Sequence, residues 1–199
     1  MKRKGFVLID RDGTIIREKC YLHRPEEVEF IPGAVAGMRA LREHGYGLVL
    51  VTNQSGVGRG YFGEEDVWRV HARLREMLHA EGVYLDGIYY CPHHPDEGCR
   101  CRKPGTALVE DARRDLGLDP SRCCLVGDNR CDLELGRRIG ARTVLVRTGY
   151  GTLVADDPGV APDRVAADFA AAAAWICGRS PYTLPAASRP AAALPEPVA

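Results

Sequence analysis

Short hydrophobic runs alternate with amphipathic segments through most of the chain, and this alternation constrains the fold more than any other feature. Runs rich in valine, leucine and isoleucine cover residues 5–10, 47–53, 87–92, 123–128 and 142–148. Amphipathic segments lie between them at residues 33–45, 64–82, 106–117 and 132–140. Their apolar residues are three and four positions apart and a glycine stands at or near each end, which is typical of helices. The sequence therefore predicts a three-layer α/β domain with a doubly wound, mostly parallel sheet and no large cap domain.

One domain should account for residues 1–179, and the Pro/Ala-rich stretch 180–199 should be a disordered tail. The 27 Lys and Arg residues balance the 27 Asp and Glu residues, which opposes a nucleic-acid or membrane partner. The N-terminus has no signal-peptide pattern, and no hydrophobic run is long enough to cross a membrane. We therefore expect a cytoplasmic protein, and a monomer.

Polar side chains follow the predicted strands where the hydrophobic runs stop. Asp10 and Asp12 follow the first run, Thr52 lies at the end of the second, and Asp128 ends the fourth. Ligands of open α/β sheets bind beyond the carboxyl ends of the strands, so these groups should converge. Lys103, which follows the third run, should join them.

The spacing within the first of these groups indicates a metal site. Asp10 and Asp12 are two positions apart on an extended segment and should point the same way, while Arg11 should point away. Together with Asp128 they form a hard oxygen site that suits Mg²⁺. A bound cation would convert a cluster of acids into a site for phosphate.

The order of these motifs, D-x-D-G-T, a strand-terminal threonine, a lysine and G-D-x-x-x-D, resembles the haloacid dehalogenase (HAD) superfamily of phosphoaspartate hydrolases over about residues 5–150. That resemblance implies a HAD-like Rossmannoid fold with Asp10 as the nucleophile. It also implies that Asp12 is the general acid and base, which protonates the leaving alcohol and then activates water.

The same resemblance assigns the remaining motif residues to charge stabilisation. Thr52 and Lys103 would hold the oxygens of the transferred phosphoryl group, with Arg102 beside them. Asp128 would bind Mg²⁺ directly, and Asp132 would support the site from nearby.

A compact set of cysteines and histidines precedes Lys103. Cys91, Cys99 and Cys101 together with one histidine supply four ligands, enough for one closed tetrahedral zinc site. The spacing allows either His93 or His94. A closed shell leaves no position for substrate, so this zinc would be structural and would fix the chain next to Arg102 and Lys103.

The segments "CPHHP", "CRCRKP", "LVTNQSGVGRGYF" and "LVRTGYG" resemble the D-glycero-D-manno-heptose 1,7-bisphosphate 7-phosphatases, whose close relatives are the histidinol-phosphate phosphatases. This resemblance implies that the zinc ligands are Cys91, His93, Cys99 and Cys101. It places substrate contacts at Glu18, Lys19, Cys20, Tyr21, Thr52, Asn53, Gln54, Ser55, Arg102 and Lys103. Asn129 is a further expected contact, and Arg59 is a candidate from its glycine-flanked loop.

We therefore expect a magnesium-dependent phosphatase that removes the 7-phosphate of a heptose bisphosphate, in the synthesis of ADP- or GDP-heptose precursors. A histidinol-phosphate phosphatase is the alternative, since it would share the catalytic residues and the zinc loop. A zinc-stabilised nucleic-acid 3′-phosphatase or binding module fits less well, because the net charge is zero. A binding module would also have no need of Asp10 and Asp12.

Overall fold

The computed structural model describes residues 3–178, so the expected disorder of residues 180–199 lies outside the described part. Its sheet has six strands in the order β3-β2-β1-β4-β5-β6, and every neighbouring pair is parallel. The strands are β1 (Gly5–Ile9), β2 (Tyr46–Asn53), β3 (Gly87–Cys91), β4 (Cys124–Gly127), β5 (Arg142–Val146) and β6 (Arg164–Ala166). The predicted α/β fold with a parallel sheet is confirmed.

Helices cover both faces of the sheet and complete the three layers. They are α1 (Ala34–Glu43), α2 (Glu64–Ala80), α3 (Ala107–Leu116), α4 (Arg130–Ile139), α5 (Gly151–Ala155) and α6 (Phe169–Cys177). Buried residues of α1, α2 and α6 form one hydrophobic core, and those of α3 and α4 contribute to a second. Among residues 3–178, no helix is both long and apolar enough to span a bilayer.

The central strand β1 is buried on both faces, which explains why its sequence is hydrophobic throughout. Val7 and Ile9 lie in the first core, whereas Phe6 and Leu8 lie in the second. Successive side chains of a strand point to opposite faces, so a strand covered on both sides needs apolar residues at every position. This burial fixes β1 rigidly between β2 and β4.

The end of the domain contains elements that the sequence pattern did not reveal. Strand β6 has three residues, and helix α6 has the alanine-rich sequence FAAAAAWIC. A strand this short has no detectable alternation, and a run of alanines has no amphipathic period. The connection from β1 to α1 contains a short 3₁₀ turn, Pro25–Glu27, and two isolated β-bridges, so within the described chain no large cap domain follows β1.

Candidate active site

The carboxyl ends of β1, β2 and β4 are adjacent in the sheet and bring the predicted motifs together. Asp10 directly follows β1, and its backbone N–H donates to the carbonyl of Val126 in β4 at 3.0 Å. Its side chain is only 12% exposed. Thr52 lies in β2 and Asp128 follows β4, as the sequence predicts. All three residues line one cavity of about 380 Å³.

Lys103 reaches this cavity from the segment after the cysteine cluster and lies among acids. Its Nζ is 2.7 Å from Asp10 Oδ1, 2.7 Å from Asp132 Oδ1 and 2.9 Å from the carbonyl of Val51. Burial by itself would lower the pKa of Lys103, but the carboxylates of Asp10 and Asp132 raise it above its ordinary value. Lys103 is therefore a fixed cation, with its three N–H groups all used in hydrogen bonds.

Asn53 holds the backbone of Lys103 in place. Its side-chain Oδ1 accepts the Lys103 N–H at 2.9 Å, and its Nδ2 donates to the Lys103 carbonyl at 3.3 Å. The sequence predicts a substrate contact for Asn53, which does line the cavity. In addition, the Asn53 amide joins the end of β2 to the segment that carries Lys103.

Three carboxylates form a candidate metal centre. Oxygens of Asp10, Asp128 and Asp132 all lie within 4.8 Å of one another. Burial, with the nearby negative charges, raises the pKa of Asp128 to about 8 and that of Asp132 to about 6. The raised pKa values mean that ionising these clustered carboxylates is unfavourable without a cation. Mg²⁺ binds carboxylate oxygens and would offset their repulsion, so the cluster fits this metal.

Asp132 and Asp12 are both predicted to act near this centre, but their carboxylates make different contacts. Asp132 binds Lys103 through Oδ1 and the backbone N–H of Asn129 through Oδ2, which suits support from behind. The carboxylate of Asp12 lies outside the three-residue cluster. Its oxygens accept hydrogen bonds from Arg11 and Gln54, at distances between 2.9 and 3.1 Å. The prediction that Arg11 points away is wrong, because its long side chain folds back onto Asp12.

Two glycines allow the backbone to approach Asp128 closely. Gly13 and Gly149 have φ angles of +74° and +54°, in the left-handed region that favours glycine. A Cβ at either position would overlap the Asp128 carboxylate. Asp128 Oδ2 also accepts the N–H of Tyr150 at 2.8 Å. The "DGT" and "TGYG" segments therefore enclose this carboxylate and fix its direction.

Most predicted substrate contacts line the same cavity. Those that do are Glu18, Cys20, Tyr21, Thr52, Asn53, Gln54, Ser55, Arg102, Lys103 and Asn129. Lys19 and Arg59 are not among the lining residues: Lys19 lies 3.5 Å from Glu29, and Arg59 lies over the ring of Tyr21 at 5.9 Å. The sequence reasoning missed Leu22, Gly56, Cys131 and Tyr150, which also line the cavity.

The loop after β1 forms one wall of the cavity. Cys20 is exposed, and Cys20 and Tyr21 have positive φ angles of 47° and 67°. The carboxylate of Glu18 accepts the N–H of Cys20 at 2.7 Å, and the Tyr21 ring contacts Tyr61 edge-on at 4.9 Å. Burial and the negative charge of Asp12 raise the pKa of Glu18. These contacts hold an unusual backbone conformation at the rim.

The cysteine cluster is a second candidate metal centre. The Sγ of Cys101 lies 3.1 Å from Cys91 Sγ, 3.6 Å from Cys99 Sγ and 3.1 Å from His93 Nδ1. Zn–S bonds of about 2.3 Å place tetrahedral ligands about 3.8 Å apart, so a small adjustment would admit zinc. His94 lies outside this group of four, and its Nδ1 accepts the N–H of Asp96. Burial raises the pKa of the Cys91 thiol, a cost that a bound cation would offset.

Comparisons with known proteins agree with this fold. A family model described as HAD-hydrolase-like matches residues 100–172, which include Lys103, Asp128 and Asp132. A crystal structure of the D,D-heptose 1,7-bisphosphate phosphatase from B. bronchiseptica, complexed with magnesium and phosphate, superposes with a TM-score of 0.81. The two sequences are 32% identical, and the match covers 86% of this chain and 97% of that one. The protein is thus a HAD-type hydrolase.

Similar curated proteins indicate which family of HAD-type hydrolases this chain belongs to. A D-glycero-D-manno-heptose-1,7-bisphosphate 7-phosphatase of Thermosynechococcus vestitus is 38% identical over 185 residues, which cover 86% of this chain and 94% of the relative. A Photorhabdus laumondii protein named for the β anomer of the same substrate is 43% identical over 152 residues, or 72% of this chain and 80% of the relative. The chain belongs to the D-glycero-D-manno-heptose-1,7-bisphosphate 7-phosphatase family and is a phosphoric monoester hydrolase.

Proposed function

We propose that this protein hydrolyses the 7-phosphate of D-glycero-D-manno-heptose 1,7-bisphosphate through an aspartyl phosphate on Asp10. The observation that carries the proposal is the placement of Asp10 in the cavity, 2.7 Å from the ammonium of Lys103 and close to a second carboxylate, Asp12. A nucleophile, a fixed cation and a proton carrier are the groups that phosphoryl transfer needs. The family membership supplies the choice of sugar.

The residues would act in two balanced steps. In the first, an oxygen of Asp10 forms a bond to phosphorus while the bond from phosphorus to the sugar oxygen breaks, and Asp12 gives its proton to that oxygen. In the second, water attacks the phosphorus, Asp12 takes a proton from the water, and the bond to Asp10 breaks. Lys103 stays beside Asp10 throughout and offsets charge on the phosphoryl oxygens.

We assign Mg²⁺ to Asp10 and Asp128, with Asp132 in support through Lys103 and Asn129. The magnesium and phosphate in the related crystal structure support this choice, as does the oxygen-only donor set. When bound, Mg²⁺ would neutralise part of the charge on the phosphate and on the clustered acids. The sequence also predicts Asp12 as a metal ligand; its carboxylate is engaged by Arg11, so we assign the side chain to acid–base chemistry and leave its backbone carbonyl oxygen as the atom that could bind Mg²⁺.

Arg102 is the residue we assign to a phosphate of the substrate. It lines the cavity, and its Nη1 is buried with no hydrogen-bond partner among residues 3–178. A buried donor without an acceptor is costly, and a phosphate oxygen would supply the acceptor. Glu18 and Asn129, on other walls of the cavity, offer acceptor and donor groups for sugar hydroxyls.

The substrate assignment is tested by phosphate release from a panel that contains both anomers of heptose 1,7-bisphosphate, histidinol phosphate and a 3′-phosphorylated oligonucleotide. We expect kcat/KM for one heptose anomer to exceed that for histidinol phosphate by about 100-fold or more, because the bisphosphate brings a second phosphate and sugar hydroxyls to the polar groups of the cavity, and histidinol phosphate has neither. Loss of the 7-phosphate, rather than the 1-phosphate, is read by ³¹P NMR. Preference for histidinol phosphate or for the oligonucleotide would overturn the substrate assignment.

We also propose a structural zinc ion held by Cys91, His93, Cys99 and Cys101. The four ligand atoms lie within 4.8 Å of one another, and Cys101 is two residues from Lys103. A closed site of this type stabilises a loop without touching substrate. Its contribution to catalysis would be to restrain the backbone that carries Arg102 and Lys103.

Replacing one zinc ligand should therefore reduce stability and rate together. We expect Cys99→Ser to lose zinc by elemental analysis, to unfold at a lower temperature and to lose about 10-fold in kcat. Cys177→Ser, at the end of α6, is the matched control and should keep zinc and rate. A Cys99→Ser protein that lost zinc but kept full stability and full rate would contradict the positioning role.

We place this activity in the cytoplasm, in the synthesis of ADP- or GDP-heptose precursors, and assign it to a monomer. The resemblance to the heptose phosphatases supports the pathway, and a small sugar phosphate fits an open cavity of about 380 Å³. The equal numbers of acidic and basic residues argue against a nucleic-acid partner.

A further inference from the structure

Arg11 is a buried cation directly behind the proposed active site. Its side chain is 1% exposed, although it lies between the two carboxylates of the first motif. Its Nε donates to Asp12 Oδ2 at 3.0 Å, and its Nη2 donates to Asp12 Oδ1 at 3.1 Å. This two-point contact fixes the plane of the Asp12 carboxylate as well as its position. Arg11 does not line the cavity, so it cannot touch substrate itself.

His71 of helix α2 supports the far side of the guanidinium. Its Nε2 lies 3.2 Å from Arg11 Nη1, and the ring is 6% exposed. Arginine has donors only, so Nε2 must be the acceptor, and the ring proton must be on Nδ1. Burial and the positive charge of Arg11 lower the pKa of His71 to about 3, which keeps the ring neutral.

Gln54 completes the contacts and joins them to the second strand. Its Oε1 accepts from Arg11 Nη2 at 2.9 Å, and its Nε2 donates to Asp12 Oδ2 and Thr52 Oγ1, both at 2.9 Å. Asp12 is thus held directly by Arg11 and by Gln54 after β2, and helix α2 acts on it only through Arg11. A buried guanidinium is expensive unless it is fully paired, and here Arg11 is paired with Asp12, Gln54 and His71.

We propose that Arg11, held by the neutral acceptor His71, is a positioning residue that keeps the Asp12 carboxylate aligned for proton transfer to and from the reacting oxygen. The proposal rests on the acid–base role given to Asp12 above. A general acid contributes only when its oxygen is within hydrogen-bond reach of the leaving group, so a carboxylate that rotates loses rate without losing affinity.

The proposal has a kinetic signature that a purely structural role would lack. The first step with a sugar phosphate needs a proton on the leaving alcohol, whereas p-nitrophenolate departs without one. Misalignment of Asp12 should therefore lower kcat/KM for alkyl phosphates and leave kcat/KM for p-nitrophenyl phosphate almost unchanged, because kcat/KM reports the enzyme's phosphorylation. General distortion of the site would lower both.

The test compares His71→Leu, which removes the acceptor, with His71→Gln, which keeps one. We expect His71→Leu to lose about 30-fold in kcat/KM for the alkyl phosphate and less than about threefold for p-nitrophenyl phosphate, with His71→Gln restoring most of the loss. His79→Leu, on an exposed position of the same helix, should behave as wild type. Asp12→Asn serves as the reference variant: it should lose more kcat/KM for the alkyl phosphate than His71→Leu does, again with little loss for p-nitrophenyl phosphate.

Arg11→Lys provides a second route if His71→Leu does not fold, since one ammonium cannot bind both Asp12 oxygens and His71 together. It should show the same selective loss. Equal losses with both substrates, or no loss in either variant, would overturn the proposal. Any alkyl phosphate that the wild type hydrolyses can serve, so an error in the heptose assignment would not be mistaken for failure of the Arg11–His71 pair.

Discussion

Asp10→Asn should abolish turnover while leaving the fold intact. We expect kcat to fall by about 10⁵-fold or more, because an amide cannot form the acyl phosphate that divides the hydrolysis into two steps. Asparagine has nearly the same shape and can still accept a hydrogen bond from Lys103 through its carbonyl oxygen. Phosphate release under saturating substrate measures the rate, and circular dichroism with thermal unfolding measures the fold.

Asp119→Asn is the matched control for this substitution. Asp119 is exposed and caps the short turn before β4 by accepting the N–H of Ser121, a role that asparagine fills equally well. Its rate should equal that of wild type. Appreciable phosphatase activity in purified Asp10→Asn, above the level that deamidation to aspartate would give, would contradict the role of Asp10 as nucleophile.

Lys103→Met should have the second-largest effect. The substitution removes the cation that contacts Asp10 and Asp132 and leaves two nearby carboxylates without their shared partner. We expect kcat to fall by about 10³-fold, the size of effect seen when a fixed positive group is removed from a developing phosphoryl charge. The folded protein should also bind Mg²⁺ more tightly, because the competing ammonium is gone, and isothermal titration measures this.

Lys4→Met is the control for removal of a lysine, because Lys4 is exposed just before β1, outside the cavity. It should keep the wild-type rate and metal affinity. A Lys103→Met protein that folds and retains more than about one tenth of the wild-type kcat would show that the ammonium does not stabilise the transition state.

The sequence was sufficient to predict which polar residues converge at the proposed active site, because parallel strands place their carboxyl ends at one edge. Asp10, Thr52 and Asp128 meet there as expected, and each is directly attached to a strand whose hydrophobic run is unambiguous. Lys103 is farther from its strand, yet the cysteine cluster limits where it can lie. Spacing alone left His93 and His94 open, and the structure brings only His93 to the three thiols.

Contacts that depend on side-chain direction or on distant segments could not be predicted. Alternation on an extended segment sends Arg11 away from Asp12, but the chain turns after Asp10, and the long arginine side chain folds back. His71 has no motif around it and lies 60 residues from Arg11 in sequence. The length and flexibility of such side chains make their partners a property of the tertiary structure alone.

The sequence predicts that the cysteine cluster positions Lys103 by fixing Cys101, and the structure adds a second contact that holds the lysine backbone. Asn53 binds both the N–H and the carbonyl of Lys103, so the lysine backbone is attached directly to the end of β2. Two anchors explain why we expect only a moderate loss of rate from zinc removal and a much larger one from loss of the ammonium itself. With zinc bound, the cluster would stabilise the segment, whereas Asn53 holds the Lys103 backbone against the end of β2.

The central claim, that the phosphoryl group passes through Asp10, is tested most directly by trapping the intermediate. The enzyme is mixed with substrate and Mg²⁺, quenched in acid within the first turnover, and reduced with borohydride, which converts an aspartyl phosphate to homoserine. Peptide mass spectrometry then locates the modified residue. We predict homoserine at position 10, and none in Asp10→Asn. Homoserine at position 12, or none anywhere while phosphate is released at the full rate, would contradict the account.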